Sequence, residues 1–193
     1  MEKMSISEYL AQILRPQDKV IVCTASKAMD ETLTAIRALG AVPVERGTDL
    51  RWQSLVRLAL LNRATVAVGH WRLVLGLTKL AKATAAPLRI RNVILTGEVC
   101  PDWAADAIRS GLDAEVLDRT CPDAAGEDGC AKALDPLLRW ASVLDYRAEQ
   151  TEMGLSLEMV VFSGKQLPQL PSGARVIVRA WDPGADEPFH RPL

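Results

Sequence analysis

The sequence predicts an α/β protein: a doubly wound, mostly parallel sheet with flanking helices, followed by a small antiparallel β-sheet. From residue 19 to residue 117, short β-branched runs alternate with helical patterns, which is the rhythm of repeated strand–helix units. After residue 134 the β-rich runs follow one another with no room for helices between them. With 193 residues, 49% of them hydrophobic, and a net charge of -1, the chain can bury a full core, as globular proteins do.

Five buried strands are predicted in the first part of the chain. Each is a short run rich in valine and isoleucine, at residues 19–23, 42–44, 65–68, 93–96 and 115–117. Parallel strands need crossover connections, and right-handed crossovers place helices on both faces of the sheet. We therefore expect a doubly wound sheet over residues 1–118.

Four amphipathic helices are predicted between these strands, because apolar residues recur there at helical spacing. The apolar stripes begin at Met29, Trp52, Leu73 and Trp103. Residues that favour helix starts precede or open three of them, and glycines follow two of them. The start signals are Ser26, Thr48 or Asp49, and Pro101, and the stop signals are Gly40 and Gly111.

The last part of the chain is predicted to be a small β subdomain. Its strands are expected at residues 140–146, 155–161 and 175–181, with a proline- and glycine-containing turn at residues 167–173 between the last two. The expected organisation is an α/β subdomain at 1–118, a polar loop at 119–134 and a β subdomain at 135–193. We expect the second subdomain to pack on the first and the two to form one structural unit.

Composition narrows the class and the location of the protein. No run of about 18 uncharged apolar residues occurs, and the first 14 residues lack the features of a secretory signal, so we expect a cytoplasmic protein without a membrane association. The four cysteines are interpreted as reduced thiols. Cys100, Cys121 and Cys130 lack the paired spacing typical of zinc sites, so zinc is not expected.

Charge is divided along the chain in spite of the near-zero total. Residues 51–96 hold eight cations and no acidic residue, at positions 51, 57, 63, 72, 79, 82, 89 and 91. Residues 98–128 hold nine acids and two arginines, a local charge of -7. Two readings remain open: solvated helix faces, which we favour, or a surface for an anionic ligand or partner. Nucleic acid is not an expected partner.

Two strand ends form the candidate binding site. Ligands of doubly wound sheets bind outside the carboxyl ends of the strands, and two adjacent segments are expected there. A ligand crevice and simple helix capping are the two interpretations of these residues. The segments are Gly69, His70 and Trp71 after the third strand and Thr96, Gly97 and Glu98 after the fourth. In the crevice, Trp71 could stack on an aromatic or adenine ring and Glu98 could accept a hydrogen bond.

A phosphate cradle at residues 24–27 has the expected context between a strand and a helix. It lacks the glycine that lets the backbone approach a phosphate, so a helix cap is favoured there.

The order of segments resembles the central part of adenylate-forming enzymes of the phenylacetate–coenzyme A ligase type. Residues 13–21 (ILRPQDKVI) look like the family's helix end, Arg-Pro-Gly-Asp turn and strand, and residues 39–44 (LGAVPV) resemble its Leu-Gly-Ala segment. Residues 66–71 (VAVGHW) fall where the family has a strand leading into an acyl-substrate loop. Residues 88–98 (LRIRNVILTGE) are similar to its Leu-Arg-x-x-Ile-x-Gly-Gly-Glu segment. The resemblance implies that Gly97 and Glu98 border an adenine pocket, with ATP, AMP or coenzyme A as the implied cofactors.

The sequence also departs from the family. Where the family has Tyr-Gly-x-Thr-Glu, whose Glu helps to hold magnesium, residues 118–122 read DRTCP. No phosphate loop is found before Arg15, the ribose-binding motif is reached only as residues 188–191, and no C-terminal lid with its lysine follows. We therefore expect a truncated relative without catalytic residues of its own.

Three hypotheses follow. The first is a non-catalytic domain that binds a small carboxylate, a nucleotide or a protein partner. The second is a subunit of a split acyl- or aryl–coenzyme A ligase, an acid–thiol ligase working through an acyl adenylate. In that case the phosphate loop and lid would lie on another chain. The third is an oligomeric scaffold such as a homodimer, because truncation would expose apolar surface.

Overall fold

The structure, a computed structural model, describes residues 6–23, 28–44, 52–118, 134–152, 154–170 and 174–181. It divides into two compact units, residues 1–125 and 126–193. The boundary lies near the predicted polar loop, and we describe each unit by itself. That the two form one structural unit remains a prediction.

The first unit alternates helices and strands in the predicted order. The helices are α1 (Ile6–Ile13), α2 (Ala28–Ala38), α3 (Trp52–Leu61), α4 (Trp71–Ala83) and α5 (Asp102–Leu112). The strands are β1 (Lys19–Cys23), β2 (Val42–Val44), β3 (Val66–Gly69), β4 (Asn92–Leu95) and β5 (Glu115–Asp118). Each of the five predicted strands is present, with bounds within one residue of those expected.

The five strands form one all-parallel sheet in the order β2-β1-β3-β4-β5. Strand β1 lies between β2 and β3, so that Val20 pairs with Pro43 on one side and Val66 on the other. The central strands β1 and β3 are buried along nearly their whole length, as expected of strands covered on both faces. The predicted doubly wound sheet is confirmed.

Helices cover the two faces of this sheet in separate layers. Leu10 of α1 and Ile36 of α2 are buried in one core with Val20, Val22 and Val66. Successive strand residues point to opposite faces, so Ile21, Ala67 and Leu95, each 0% exposed, face the other layer. In that layer α4 packs between α3 and α5.

Two of the predicted helix ends can be compared with the structure. Gly40 ends α2 in the left-handed region with φ +76°, and the amide of Ala41 donates to the carbonyl of Ile36, a hydrogen bond typical of a helix C-cap. Gly111, by contrast, lies inside α5, and Asp113 takes the left-handed conformation that ends that helix. The expectation that Gly111 stops α5 is therefore corrected. Ser26, Thr48 and Asp49 lie outside the described residues.

At the amino-terminal edge of the sheet, a buried carboxylate connects three segments. Asp18, whose side chain is 4% exposed, accepts hydrogen bonds from the Arg15 amide (2.7 Å), the Thr65 hydroxyl (2.8 Å) and Arg91 Nη2 (2.5 Å). Burial by itself raises the pKa of Asp18, but these hydrogen bonds and the Arg91 charge outweigh it and hold the pKa below its ordinary value of 3.8. The cluster fixes the starts of β1, β3 and β4 relative to one another.

The second unit contains a three-stranded sheet of β6 (Val143–Thr151), β7 (Gly154–Phe162) and β8 (Arg175–Trp181), preceded by a 3₁₀ helix at Asp135–Arg139. Strands β6 and β7 are antiparallel, as predicted. Strand β8 runs parallel to β7, so the sheet is mixed, which corrects the expectation of an entirely antiparallel sheet. Because β7 and β8 are parallel, β8 starts at the opposite end of the sheet from the end of β7, and no hairpin joins them. The predicted turn at 167–173 lies partly outside the described residues.

None of the described helices has the length and apolar character that would allow it to cross a membrane.

Candidate functional site

The candidate site lies at the carboxyl ends of β1, β3 and β4. The chain leaves β1 for β2 on one side and then returns to β3 on the other, so the connections change direction between β1 and β3. Ligands of doubly wound sheets bind outside the strand ends at such a switch point. Both segments predicted as site residues, after β3 and after β4, are at this edge.

Gly69 joins these strand ends by a close backbone approach. Its φ is +153°, and a β-carbon at this position would lie 2.0 Å from the carbonyl oxygen of Cys23. The same carbonyl accepts a hydrogen bond from the His70 amide (2.9 Å), and the Gly69 carbonyl accepts one from the Thr96 amide (2.9 Å). Only glycine fits here. The close backbone approach that it allows places His70 and Thr96 side by side.

His70 caps helix α4 with its side chain. It is the N-cap residue with φ -70° and ψ 134°, and its Nδ1 accepts a hydrogen bond from the Arg72 amide at 3.3 Å. Because Nδ1 acts as an acceptor, a neutral imidazole carries its proton on Nε2. The cap thus fixes the ring and leaves Nε2 as the group that faces away from the helix.

Glu98 lies opposite this nitrogen. Its Oε2 is 3.5 Å from His70 Nε2, and the two side chains are 35% and 27% exposed. Gly97, with φ +87°, makes the turn that brings Glu98 back towards β3. Val99, which follows, is 50% exposed. His70 and Glu98, which the sequence predicts at the ends of two different strands, therefore form a solvent-accessible imidazole–carboxylate pair. Val99 is an apolar neighbour of this pair.

Trp71 lies beneath this pair and does not face solvent. Its side chain is 1% exposed, its ring is 6.0 Å from the His70 ring at 24°, and the Trp103 ring meets it edge-on at 5.9 Å. The Arg72 guanidinium carbon lies 5.4 Å from the Trp71 ring centroid. Trp71 therefore supports the His70 ring from below, and the open stacking surface expected from the sequence is not formed by this indole.

The indole N–H of Trp71 is buried, and no hydrogen-bond acceptor for it occurs among the described residues. The contributions of Arg72, Val99 and Trp103 to this region were not predicted from the sequence. Arg72 could have been found, because it follows the N-cap His70 at the spacing of a capped amide. Val99 directly follows the predicted site residue Glu98, whereas Trp103 carries no sequence signal for this role, since only packing brings its ring here.

Other chemistry considered from the sequence has less structural support. Cys23 and Cys100 are buried thiols, and Cys23 lies in a strand as predicted. Across the described part of the chain, no group of three or more histidine, cysteine or acidic residues could hold a metal ion. The candidate cradle at residues 24–27 and the thiols of Cys121 and Cys130 lie outside the described residues.

A comparison of the sequence with protein-family models and with curated proteins gives no match. The structure, however, is similar to solved structures of acyl-CoA ligases. An open conformation of 2-hydroxyisobutyryl-CoA ligase in complex with 2-HIB-AMP and CoA aligns with a TM-score of 0.51 and 20% identity over 58% of this chain and 30% of the ligase. The same ligase in the postadenylation state with 2-HIB-AMP gives a TM-score of 0.50 and 20% identity over 58% of this chain and 27% of the ligase. A benzoate CoA ligase from Burkholderia xenovorans LB400 aligns with a TM-score of 0.46 and 18% identity over 60% of this chain and 26% of the ligase.

In each of these alignments the match spans less than a third of the length of the ligase. At this identity the likeness establishes the fold. The resemblance to adenylate-forming enzymes inferred from the sequence is thus confirmed at the level of the fold.

Proposed function

We propose that this chain is a non-catalytic, ligase-like domain that binds a small molecule at the crevice between Gly69–His70 and Thr96–Glu98. The observation that carries the proposal is the His70–Glu98 pair, 3.5 Å apart and partly exposed at the switch point of the sheet. Doubly wound sheets bind their ligands at this edge, and the partial exposure of both side chains leaves the pair accessible to a small molecule.

The charges of the crevice favour a ligand with both polar and anionic groups. With Nδ1 of His70 occupied by the cap, Glu98 presents a carboxylate that can accept hydrogen bonds from amino or hydroxyl groups. The N-terminus of α4 carries partial positive charge, and Arg72 lies in its first turn with the guanidinium over the Trp71 ring. An adenine nucleotide offers groups of both kinds, and an acyl carboxylate offers the anionic one.

The family resemblance supports the same ligands. It assigns Gly97 and Glu98 to the border of an adenine pocket and Gly69, His70 and Trp71 to the acyl side. The structurally similar 2-hydroxyisobutyryl-CoA ligase was solved in complex with 2-HIB-AMP and CoA. On this proposal, the buried Trp71 holds the His70 ring in place and does not stack on the ligand.

The non-catalytic part of the proposal depends on residues 118–122. The sequence there is DRTCP, where the resemblance would require a Glu that helps to hold magnesium. The competing hypothesis is a split acyl- or aryl–coenzyme A ligase in which another chain supplies the remaining catalytic groups.

A thermal-shift titration tests the binding proposal. The purified chain is titrated with AMP, with ATP and magnesium, with coenzyme A and with a panel of aryl and acyl carboxylates. A ligand at a hundredfold excess over its Kd stabilises the native state by about 2.7 kcal/mol, so the Tm should rise by roughly 5 °C. We expect AMP or a carboxylate to give this shift.

Two variants and one control locate the binding. Glu98→Gln and His70→Asn should each weaken the apparent Kd at least about tenfold, which is about 1.4 kcal/mol. Glu115→Gln is the matched control, because Glu115 is exposed at the opposite, amino-terminal edge of the sheet. Equal ligand shifts in all three variants, or no shift with any compound, would contradict the proposed crevice.

Pyrophosphate release in the presence of ATP, magnesium and each carboxylate tests the non-catalytic part separately. We expect no release above a sample without protein. Turnover by the chain alone would overturn that part and leave the binding site in place.

A further inference from the structure

The imidazole of His70 has a different partner at each of its two nitrogens. Nδ1 accepts a hydrogen bond from the Arg72 amide at 3.3 Å, and Nε2 lies 3.5 Å from Oε2 of Glu98. A neutral imidazole has one acceptor nitrogen and one N–H donor. It therefore serves the helix cap and the carboxylate at the same time, provided that its proton is on Nε2.

Protonation of His70 is incompatible with this arrangement. It places a proton on Nδ1, which then cannot accept the Arg72 amide, so that two N–H groups face each other. A cation at the N-cap of α4 is also opposed by the positive end of the helix dipole. The same charge strengthens the attraction to the Glu98 carboxylate. Protonation therefore weakens the cap and favours the pairing with Glu98.

The surroundings of the ring allow it to approach Glu98. The side chains of His70 and Glu98 are 27% and 35% exposed, so neither is enclosed in a core. Gly97 stands beside the imidazole, where an added β-carbon would lie 3.4 Å from Cδ2 of His70. Without that β-carbon, a small shift of the ring meets no side chain from Gly97. The buried Trp71 ring, stacked at 6.0 Å, supports the imidazole from below.

The other ionisable groups near this end of the sheet do not change charge when histidine titrates. The elements around the ring are β1, α4, the connection from β4 to α5, and α5, which meets Trp71 through the Trp103 ring. Thiols are neutral below pH 8, whereas arginine and aspartate stay charged. Besides Glu98, the described members of this set are Cys23, Arg72, Cys100 and Asp102. Lys27 and residues 119–133 lie outside the described residues.

We propose that His70 is a proton-controlled switch. The neutral ring caps α4, and the protonated ring releases the Arg72 amide and pairs with Glu98. Histidine ordinarily titrates at a pH of about 6.5, where physiological changes in pH can act on it. The exchange takes up the carboxylate that the crevice offers to a ligand, so its consequence for binding rests on the proposed function. The exchange itself involves only residues of this chain.

NMR of the ligand-free chain between pH 5 and pH 8 tests the switch. The chain has two histidines, so His190→Gln assigns the ring resonances of His70. Nitrogen-15 shifts should show the neutral ring with its proton on Nε2. The amide resonance of Arg72 should move with the same midpoint as the His70 ring. Asp18 stays ionised over this range, because its pKa lies below 3.8, and does not disturb the measurement.

Three variants separate the switch from a general effect of pH. Glu98→Gln removes the charge that favours the protonated ring, so the midpoint should fall by at least about 0.5 pH unit. His70→Asn keeps an acceptor at the N-cap and does not titrate, so the Arg72 amide resonance should stay fixed. Glu115→Gln is the control for Glu98→Gln, because Glu115 is exposed at the opposite edge of the sheet, and it should leave the midpoint unchanged.

Three results would each overturn the proposal. They are an Arg72 amide resonance that does not follow the His70 titration, a neutral ring with its proton on Nδ1, and a midpoint that Glu98→Gln does not move. Because no ligand is present, these results do not depend on whether the crevice binds any compound. Failure of the thermal-shift titration would contradict the proposed function and leave the switch to be decided by NMR.

Discussion

A β-carbon added to Gly69 would lie 2.0 Å from the carbonyl oxygen of Cys23 and 2.9 Å from the Cys23 α-carbon. These are backbone atoms of the neighbouring strand, so no side-chain rotation can relieve the overlap. The carbonyl also accepts the His70 amide, which ties the contact to the candidate site. The fit between β1 and β3 at their carboxyl ends thus depends on the absence of a side chain at Gly69.

Gly69→Ala should therefore destabilise the protein severely. We expect a loss of about 3 kcal/mol or more in the free energy of unfolding, at the upper end of the range for overpacked sites. Urea unfolding followed by tryptophan fluorescence measures it. Gly164→Ala is the control, because Gly164 has φ +72° and a β-carbon added there would meet no neighbouring atom within 4 Å. Its cost should be about 1 kcal/mol from backbone strain alone, and equal losses in the two variants would argue against the close approach.

The strands of the first unit could be predicted from the sequence because their residues are buried on both faces. Runs such as 20–23 and 66–69 are then apolar throughout and rich in β-branched residues, and the pattern does not depend on distant contacts. The direction of β8 could not be predicted. The segment between β7 and β8 has turn residues suited to a hairpin, yet it is also long enough to return the chain for parallel pairing.

The candidate site was predictable in position and less so in detail. The topology brings the ends of β3 and β4 together whatever their side chains, which is why residues 69–71 and 96–98 could be expected to meet. The burial of Trp71 depends on the ring of Trp103, on another helix. The Asp18 cluster depends on Thr65 and Arg91, which are 47 and 73 residues away in sequence. No local pattern signals either contact.

The Asp18 cluster predicts acid sensitivity. Because the folded-state pKa of Asp18 lies below its ordinary value of 3.8, the unfolded chain binds a proton more readily than the folded one. The stability that this group contributes is therefore fully present above the ordinary pKa and is lost as the pH falls through the lower folded-state value. Urea unfolding across the acid range should show this loss in the unaltered protein.

Asp18→Asn should weaken that pH dependence and lower the stability at neutral pH by about 3 kcal/mol, because Arg91 loses its buried partner. Asp106→Asn provides the comparison, since the Asp106–Arg109 pair is exposed and should contribute no more than about 0.5 kcal/mol. An acid profile unchanged by Asp18→Asn would show that other carboxylates control the transition.

The contact between α4 and α5 predicts that a destabilising substitution at Gly111 can be compensated by a second substitution at Thr78. A β-carbon on Gly111 would lie 2.3 Å from Cγ2 of Thr78, which is 3% exposed and bonded through its hydroxyl to the Val74 carbonyl. Gly111→Ala should cost about 1 to 2 kcal/mol, even though alanine favours helices, because the methyl group overlaps a side chain that cannot turn away.

Adding Thr78→Ser removes Cγ2 and keeps the hydroxyl, so the double variant should recover most of the loss. A double-mutant cycle by urea unfolding measures the coupling. Additive losses in the double variant would mean that the two helices do not approach at these residues.

Capping by His70 can be separated from its pairing with Glu98. His70→Ala removes the acceptor for the Arg72 amide and should cost about 1 kcal/mol of stability. His70→Asn keeps a side-chain acceptor suited to the N-cap position while removing the nitrogen that faces Glu98, so its loss should stay within about 0.5 kcal/mol. Unfolding of both variants at one neutral pH decides between the roles. If asparagine is as destabilising as alanine, the pairing with Glu98 holds the strand ends together more than the cap does, and the crevice is then a structural joint rather than an open binding site.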